Sequence, residues 1–184
     1  QKTNLKTKGQ VMLLAEDLVQ EWLIRKKYFT VKNLKSTNNK ELDLLGVKFE
    51  ENNETNLIHV EVSVHYNPIG WLAPMGGGVM GNRTPEEIEL GVEEWVERKF
   101  RGDNALVRNN FSPHANVNDW EMLFVHGKLN EKNHRELEYM KDLGITIKSI
   151  REIILDLQEP TNNIRTGGVG KDISDLITIY SDLE

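Results

Sequence analysis

Glu41-Leu42-Asp43-Leu44-Leu45-Gly46-Val47-Lys48-Phe49 is followed, after a polar connection from Glu50 to Asn56, by Leu57-Ile58-His59-Val60-Glu61-Val62-Ser63-Val64-His65. The second stretch alternates: Ile58, Val60, Val62 and Val64 lie on one side, His59, Glu61, Ser63 and His65 on the other, which is the period of a strand. With a polar link between them, the two stretches read as the arms of a hairpin. Each arm carries an acid inside an apolar run, Asp43 in the first and Glu61 in the second. A buried carboxylate is costly unless it is paired or holds a cation, and the hairpin makes these two neighbours. Two converging carboxylates suit a hard divalent ion such as Mg²⁺ (or Mn²⁺), which is held through few protein carboxylates and keeps several waters. Such an ion polarises a phosphoryl oxygen and acidifies its bound water.

Outward from the hairpin, the elements alternate in type. Val11, Leu14, Ala15, Leu18, Trp22 and Leu23 recur at helical spacing and predict a helix over 9–27, and Tyr28-Phe29-Thr30-Val31 starts a strand. Asn67 to Thr84 is a long glycine- and proline-bearing loop. Thr84-Pro85-Glu86-Glu87 opens a helix with a capping box, running to about Phe100 and burying Ile88, Val92, Trp95 and Val96. Trp120 to Val125 reads as a strand, Glu131 to Leu143 as a helix stopped by Gly144, and Ile145 to Leu157 as a strand whose second half is either strand or helix. Ile173, Leu176, Ile177 and Tyr180 suit a last short helix. The expected class is α/β (α+β): a mixed central sheet flanked by helices, in the order α-β-β-β-α-β-α-β-α, as a single domain over 1–184.

Composition removes several function classes. The 184 residues are 38% hydrophobic and 28% charged, a globular balance, and no apolar run approaches a membrane helix. Cysteine is absent, which excludes disulfide scaffolds, thiolate zinc sites and cysteine nucleophiles. The five histidines show no paired ligand spacing, so zinc is not expected. Gly167-Gly168-Val169-Gly170-Lys171-Asp172 lacks the first glycine and the hydroxyl residue of a phosphate-binding loop. The polar Gln1–Lys6 start gives the expectation of no secretory leader and a cytoplasmic protein. A start at Gln1 rather than Met fits a piece of a longer protein, and Leu183-Glu184 fits a tag scar. Net charge is −6, yet residues 1–48 carry ten Lys and Arg against five acids. Such asymmetry suggests phosphate contacts, with Lys26, Lys27, Lys32 and Lys35 as nucleic-acid-binding candidates. In the glycine loop, Trp71 is the candidate for stacking on a base, and Arg83 for meeting a phosphate backbone.

The helix bearing Glu16, the strand with Asp43 and the strand with Glu61 resemble, in order and spacing, the core of the PD-(D/E)XK nuclease superfamily, the restriction-endonuclease-like fold. The resemblance extends over most of the chain through the helix, strand and helix that follow. It implies that Asp43 and Glu61 are metal ligands and that Glu16 is an outer ligand or orients the metal's water. The family's lysine, two residues after the second acid, is replaced here by Ser63. A hydroxyl brings no charge to the attacking hydroxide or the phosphate, and losing such help costs orders of magnitude in rate. A cation from elsewhere is one repair: Lys48 is the first choice, provided a bulge at Gly46 turns it to the face of Asp43, with Lys35, Arg98 and Lys99 behind it. His65 acting as a base is another.

The expected function is therefore metal-dependent hydrolysis of DNA phosphodiester bonds, as in restriction, repair or phage defence, with RNA left open as the substrate. A homodimer or a larger assembly is the expected setting, with no membrane partner. The competing reading is a catalytically inactive module of the same fold that binds nucleic acid or a protein. A small-molecule hydrolase ranks below both, for want of a Gly-x-Ser-x-Gly or Ser-His-Asp pattern.

Overall fold

A computed structural model of the chain describes residues 4–35, 41–52, 54–65, 70–73, 83–112, 119–158 and 172–173, with side chains from residue 14 onward. Its elements run α1 (Asn4–Arg25), β1 (Phe29–Lys35), β2 (Glu41–Phe49), β3 (Thr55–Ser63), α2 (Pro85–Phe100), α3 (Gly102–Phe111), β4 (Trp120–His126), α4 (Glu131–Asp142), β5 (Thr146–Ser149) and α5 (Ile150–Gln158). The strands form one mixed sheet in the order β1-β2-β3-β4-β5. β1, β2 and β3 pair antiparallel as a meander, whereas β4 and β5 join parallel to β3 through helical crossovers.

The mixed sheet flanked by helices is the expected α+β class. α3 is a helix additional to the sequence reading, and the second half of the 145–157 stretch, open between strand and helix, is helix α5. Of the expected final helix only residues 172–173 are described, and they are helical. Most of the glycine loop and the Gly167–Asp172 stretch lie outside the described residues. Among the described residues no helix is long and apolar enough to cross a membrane.

Each face of the sheet is buried by its own layer. On one, Ala15, Leu18, Val19, Trp22 and Leu23 of α1 and Ile153 and Leu157 of α5 pack on Leu44, Ile58, Val60, Val62, Leu123 and Val125. On the other, Val92, Trp95, Val96 and Phe100 of α2 and Leu137 and Met140 of α4 surround Phe124, with Trp95 edge-on to both Phe100 and Phe124. A third cluster of Leu42, Leu45, Leu57 and Trp120 lies against Val107 of α3. The α2 start carries the expected capping box: Thr84 N donates to Glu87 Oε2 at 2.8 Å and Glu87 N to Thr84 Oγ1 at 3.3 Å.

Gly46 is fixed by a close approach. A Cβ there would stand 2.8 Å from Ile58 Cγ2 and 3.1 Å from Tyr28 Cδ1. The Gly46→Val variant is expected to lose about 1–3 kcal/mol of stability through overpacking, read as a lower urea midpoint. An unchanged midpoint would mean that Tyr28 and Ile58 give way freely.

Candidate active site

Because β2 and β3 run antiparallel, the start of one lies beside the end of the other. Asp43 and Glu61 meet there, at the edge where the parallel strands also leave the sheet. The β2–β3 ladder ends at Leu44↔Val60. At the next step the Asp43 side chain takes over, its Oδ2 accepting the Val62 N–H at 2.7 Å. On the other side, the β1–β2 pairing omits Asn33 opposite Asp43, and Asn33 has φ 57°. The alternation of β2 also breaks at this point, since Leu42 and Leu45 share one cluster while Leu44 belongs to the opposite face. The sheet is thus distorted at the residue that carries the acid, a device that re-aims a side chain.

Glu61 is 1% exposed, and both of its oxygens meet donors. His59 Nε2 lies 3.0 Å from Oε1, and the Lys99 ammonium, from the last turn of α2, bonds Oε2. Arg108 of α3, itself buried, places Nη1 2.8 Å from His59 Nδ1 and also donates to the Phe100 carbonyl. Glu16 of α1 is buried, and its Oε2 has no hydrogen-bond partner.

Charge is crowded here. Burial, then the Glu61 charge, push Asp43 up to about 7, against the pull of Lys99. Burial pushes Glu61 up to about 7 in spite of Lys99. Burial and then the Asp43 charge raise Glu16 to about 7. Burial opposes the charge on Lys99, but Glu61 and Asp43 outweigh it and hold the ammonium above its usual value. Burial, with Arg108 and Lys99 beside it, keeps His59 well below its usual value and hence neutral. Burial lowers Arg108 to about 10, which leaves it charged at neutral pH. The Lys99 ammonium faces two carboxylates, Lys32 is the cation that acts on Glu16, and Glu16 Oε2 is an acceptor without a hydrogen-bond donor. Among the described residues no group of three or more His, Asp or Glu is gathered as a metal site by protein atoms alone. The donor set fits an ion held by two carboxylates, with water and substrate completing its shell.

Any cation that binds must displace the protons these raised acids retain near neutrality. Mn²⁺ uptake is therefore expected to tighten from pH 6 to pH 8 and to release protons. Calorimetry in two buffers of different ionisation enthalpy measures the release, and the same heat in both would contradict it.

The remaining sequence candidates fall in several places. Lys48 does not reach the acids. The ladder passes Gly46↔Ile58 and Val47↔Leu57 without a bulge, and Lys48 pairs with Asn56, four rungs from Leu44↔Val60, or about 13 Å along the strand. There its Nζ bonds Glu50 at 2.6 Å. Lys26 and Lys27 line the same distant cleft as Lys48, and Lys26 also lies 5.0 Å from the Trp22 ring centre. Lys32 bonds the Asp17 carboxylate, while Lys35 is exposed at the end of β1 beside Glu41. Arg98 is exposed one residue before Lys99. Trp71 is half-buried, with the Arg83 guanidinium 4.6 Å above its ring and Arg83 Nη1 donating to Ala73 O. Ser63 ends β3 and pairs with His126 of β4, which in turn pairs with Ser149 of β5. That polar row shares the face of Glu61.

His59, Arg108 and His126 were not singled out from sequence. The alternation of β3 already set His59 on the face of Glu61, which was the one available signal.

No family model matches the chain, and no curated protein matches it. Among solved structures, the crystal structure of the protein of unknown function AF1548 is 12% identical, with a TM-score of 0.45, covering 91% of this chain and 79% of that one. The MspJI restriction endonuclease, solved in complex with a 27-mer oligonucleotide, is 12% identical with a TM-score of 0.36, covering 94% of this chain and 31% of that one. At these values the residue roles rest on the geometry above.

Proposed function

We propose that the chain is a metal-dependent nuclease hydrolysing DNA phosphodiester bonds, with Asp43 and Glu61 holding Mg²⁺ or Mn²⁺ and Lys99 supplying the charge that Ser63 lacks. The observation that carries this reading is the Lys99 ammonium on Glu61 Oε2, beside Asp43. The position of a charge in space decides what it stabilises, whichever element delivers it. When bound, the ion supplies Lewis-acid activation of a phosphoryl oxygen and a more acidic water. Lys99 stabilises the negative charge that grows on the phosphoryl group as water adds to phosphorus. Glu16, raised to about 7, accepts a proton from that water near neutrality. His126, level with Ser63 on the face of Glu61, is the candidate for meeting a leaving oxygen or a flanking phosphate.

The inactive binding module is favoured by one observation, that both Glu61 oxygens are already engaged by protein donors. Supercoiled DNA incubated with the protein and Mg²⁺ or Mn²⁺ separates the two. The nuclease reading expects nicked or linear product, and DNA binding that weakens steeply with salt. No product with either metal, together with cleavage created by Ser63→Lys, would establish the module instead.

A further inference from the structure

α3 supplies none of the three site carboxylates, yet two of its side chains hold the site together. Asn104, 1% exposed, donates through Nδ2 to the carbonyls of Arg98 and Lys99 at 3.2 and 2.8 Å. It thereby fixes the turn that carries the ammonium. One turn further along α3, Arg108 reaches the Phe100 carbonyl and His59 together. His59 is fully buried, with the Phe100 ring edge-on at 4.8 Å. A guanidinium can only donate, so His59 Nδ1 must present a lone pair to it. The ring's one proton then sits on Nε2, which faces Glu61 Oε1 at 3.0 Å. Each bond dictates the next. Arg108 selects the tautomer, the tautomer supplies a donor to Oε1, and that bond sets the rotation of the carboxylate whose other oxygen meets Lys99.

We propose that Arg108 and His59 are positioning residues for Glu61, a relay running from α3 through β3 that aims Oε2 at the place where Lys99 and a metal ion act. The purpose of that aim rests on the nuclease reading; the relay itself does not. A guanidinium buried with no partner for its Nε is a poor choice for stability alone. As the anchor of a ligand's orienting partner it has a defined task, since such outer contacts typically govern metal affinity by 10–100-fold.

The test joins a spectrum to a metal titration on the full chain. In long-range ¹H–¹⁵N correlation spectra of the metal-free protein, His59 should appear as a neutral ring protonated at Nε2. Arg108→Met should lose that signature in favour of Nδ1 protonation or a mixture, and should weaken Mn²⁺ binding about tenfold or more. His59→Leu, which ends both bonds, should weaken it similarly. His59→Gln should stay within about threefold of wild type, because its carboxamide both accepts from Arg108 and donates to Glu61. An imidazolium or an Nδ1–H ring in the wild type overturns the relay. So does an Arg108→Met spectrum like that of the wild type, or a His59→Gln variant as weak as His59→Leu. A chain that shows the Nε2 tautomer and its dependence on Arg108 but takes up no Mn²⁺ supports the relay and removes the nuclease reading.

Discussion

Lys99→Met is expected to lower the rate of DNA cleavage by about 10²–10³ while leaving Mn²⁺ affinity unchanged or higher. The first half follows from the size of one preorganised charge at a developing oxyanion. The second follows from Glu61, whose Oε2 is occupied by the ammonium in the metal-free chain. A cation arriving there competes with Lys99, and removing the competitor frees the oxygen. Met keeps most of the lysine's stem, so little packing is lost at this half-buried position. Lys48→Ala serves as the control, because its ammonium is held by Glu50 several rungs away. Single-turnover cleavage with calorimetric Mn²⁺ titration reads both halves. Equal losses in Lys99→Met and Lys48→Ala, or a Lys99→Met enzyme that cuts at the wild-type rate, would remove Lys99 from the chemistry.

A cation delivered from a helix end, as proposed for Lys99, is not visible in strand order, and for that reason the sequence ranked Lys48 first. A position on the neighbouring strand is legible from strand order, and Lys48 needed only a bulge at Gly46. The actual ladder runs straight through Gly46, so strand geometry rules Lys48 out. Lys99 reaches Glu61 only because α2 crosses the sheet at one angle, and that angle is set by Val92, Trp95, Val96 and Phe100 packing on Phe124. No local pattern encodes it.

α3 was overlooked for a different reason. Periodicity finds helices by apolar residues on the buried side. Here the buried side is polar, Asn104 and Arg108, while Leu106 and Phe111 are exposed. The pattern is inverted because α3 turns Asn104 and Arg108 inward, toward the end of α2 and His59, and meets the core through the half-buried Val107. β2 and the two faces of β3, by contrast, were legible, although β3 runs Thr55–Ser63, two residues earlier than the expected Leu57–His65. The bounds of β2 agree, and the two faces of β3 divide as its alternation demands, with Ile58, Val60 and Val62 under α1 and His59 and Glu61 toward α2 and α3. The distortion at Asp43 had no sequence signal, since an aspartate replaces a backbone acceptor there only once the ladder has frayed.

Asp43→Asn should abolish cleavage, by about 10³-fold or more if two carboxylates are needed to hold the ion, and should also make the metal-free protein more stable above neutral pH. The two effects have one cause. Asp43 is held at about 7 in the fold against an ordinary value of 3.8, through burial and the Glu61 charge. A carboxyl raised in this way contributes stability that is fully present below pH 4 and lost as pH climbs through 7. Asn is neutral throughout, and its side-chain oxygen can still accept the Val62 N–H, so the variant gives up no hydrogen bond. Its advantage over wild type should be nil near pH 4 and reach about 1–3 kcal/mol at pH 8, read from urea midpoints with a chelator present. Saturating Mn²⁺ should erase that advantage, since a ligand at a hundred times its dissociation constant stabilises the wild type alone by about 2.7 kcal/mol. A purely structural aspartate gives the opposite pattern. Its Asn variant would be less stable at pH 8, and Mn²⁺ would shift neither protein. Stability bought back by deleting an acid, and lost again when metal is supplied, is what separates a carboxylate kept for binding a cation from one kept for the fold.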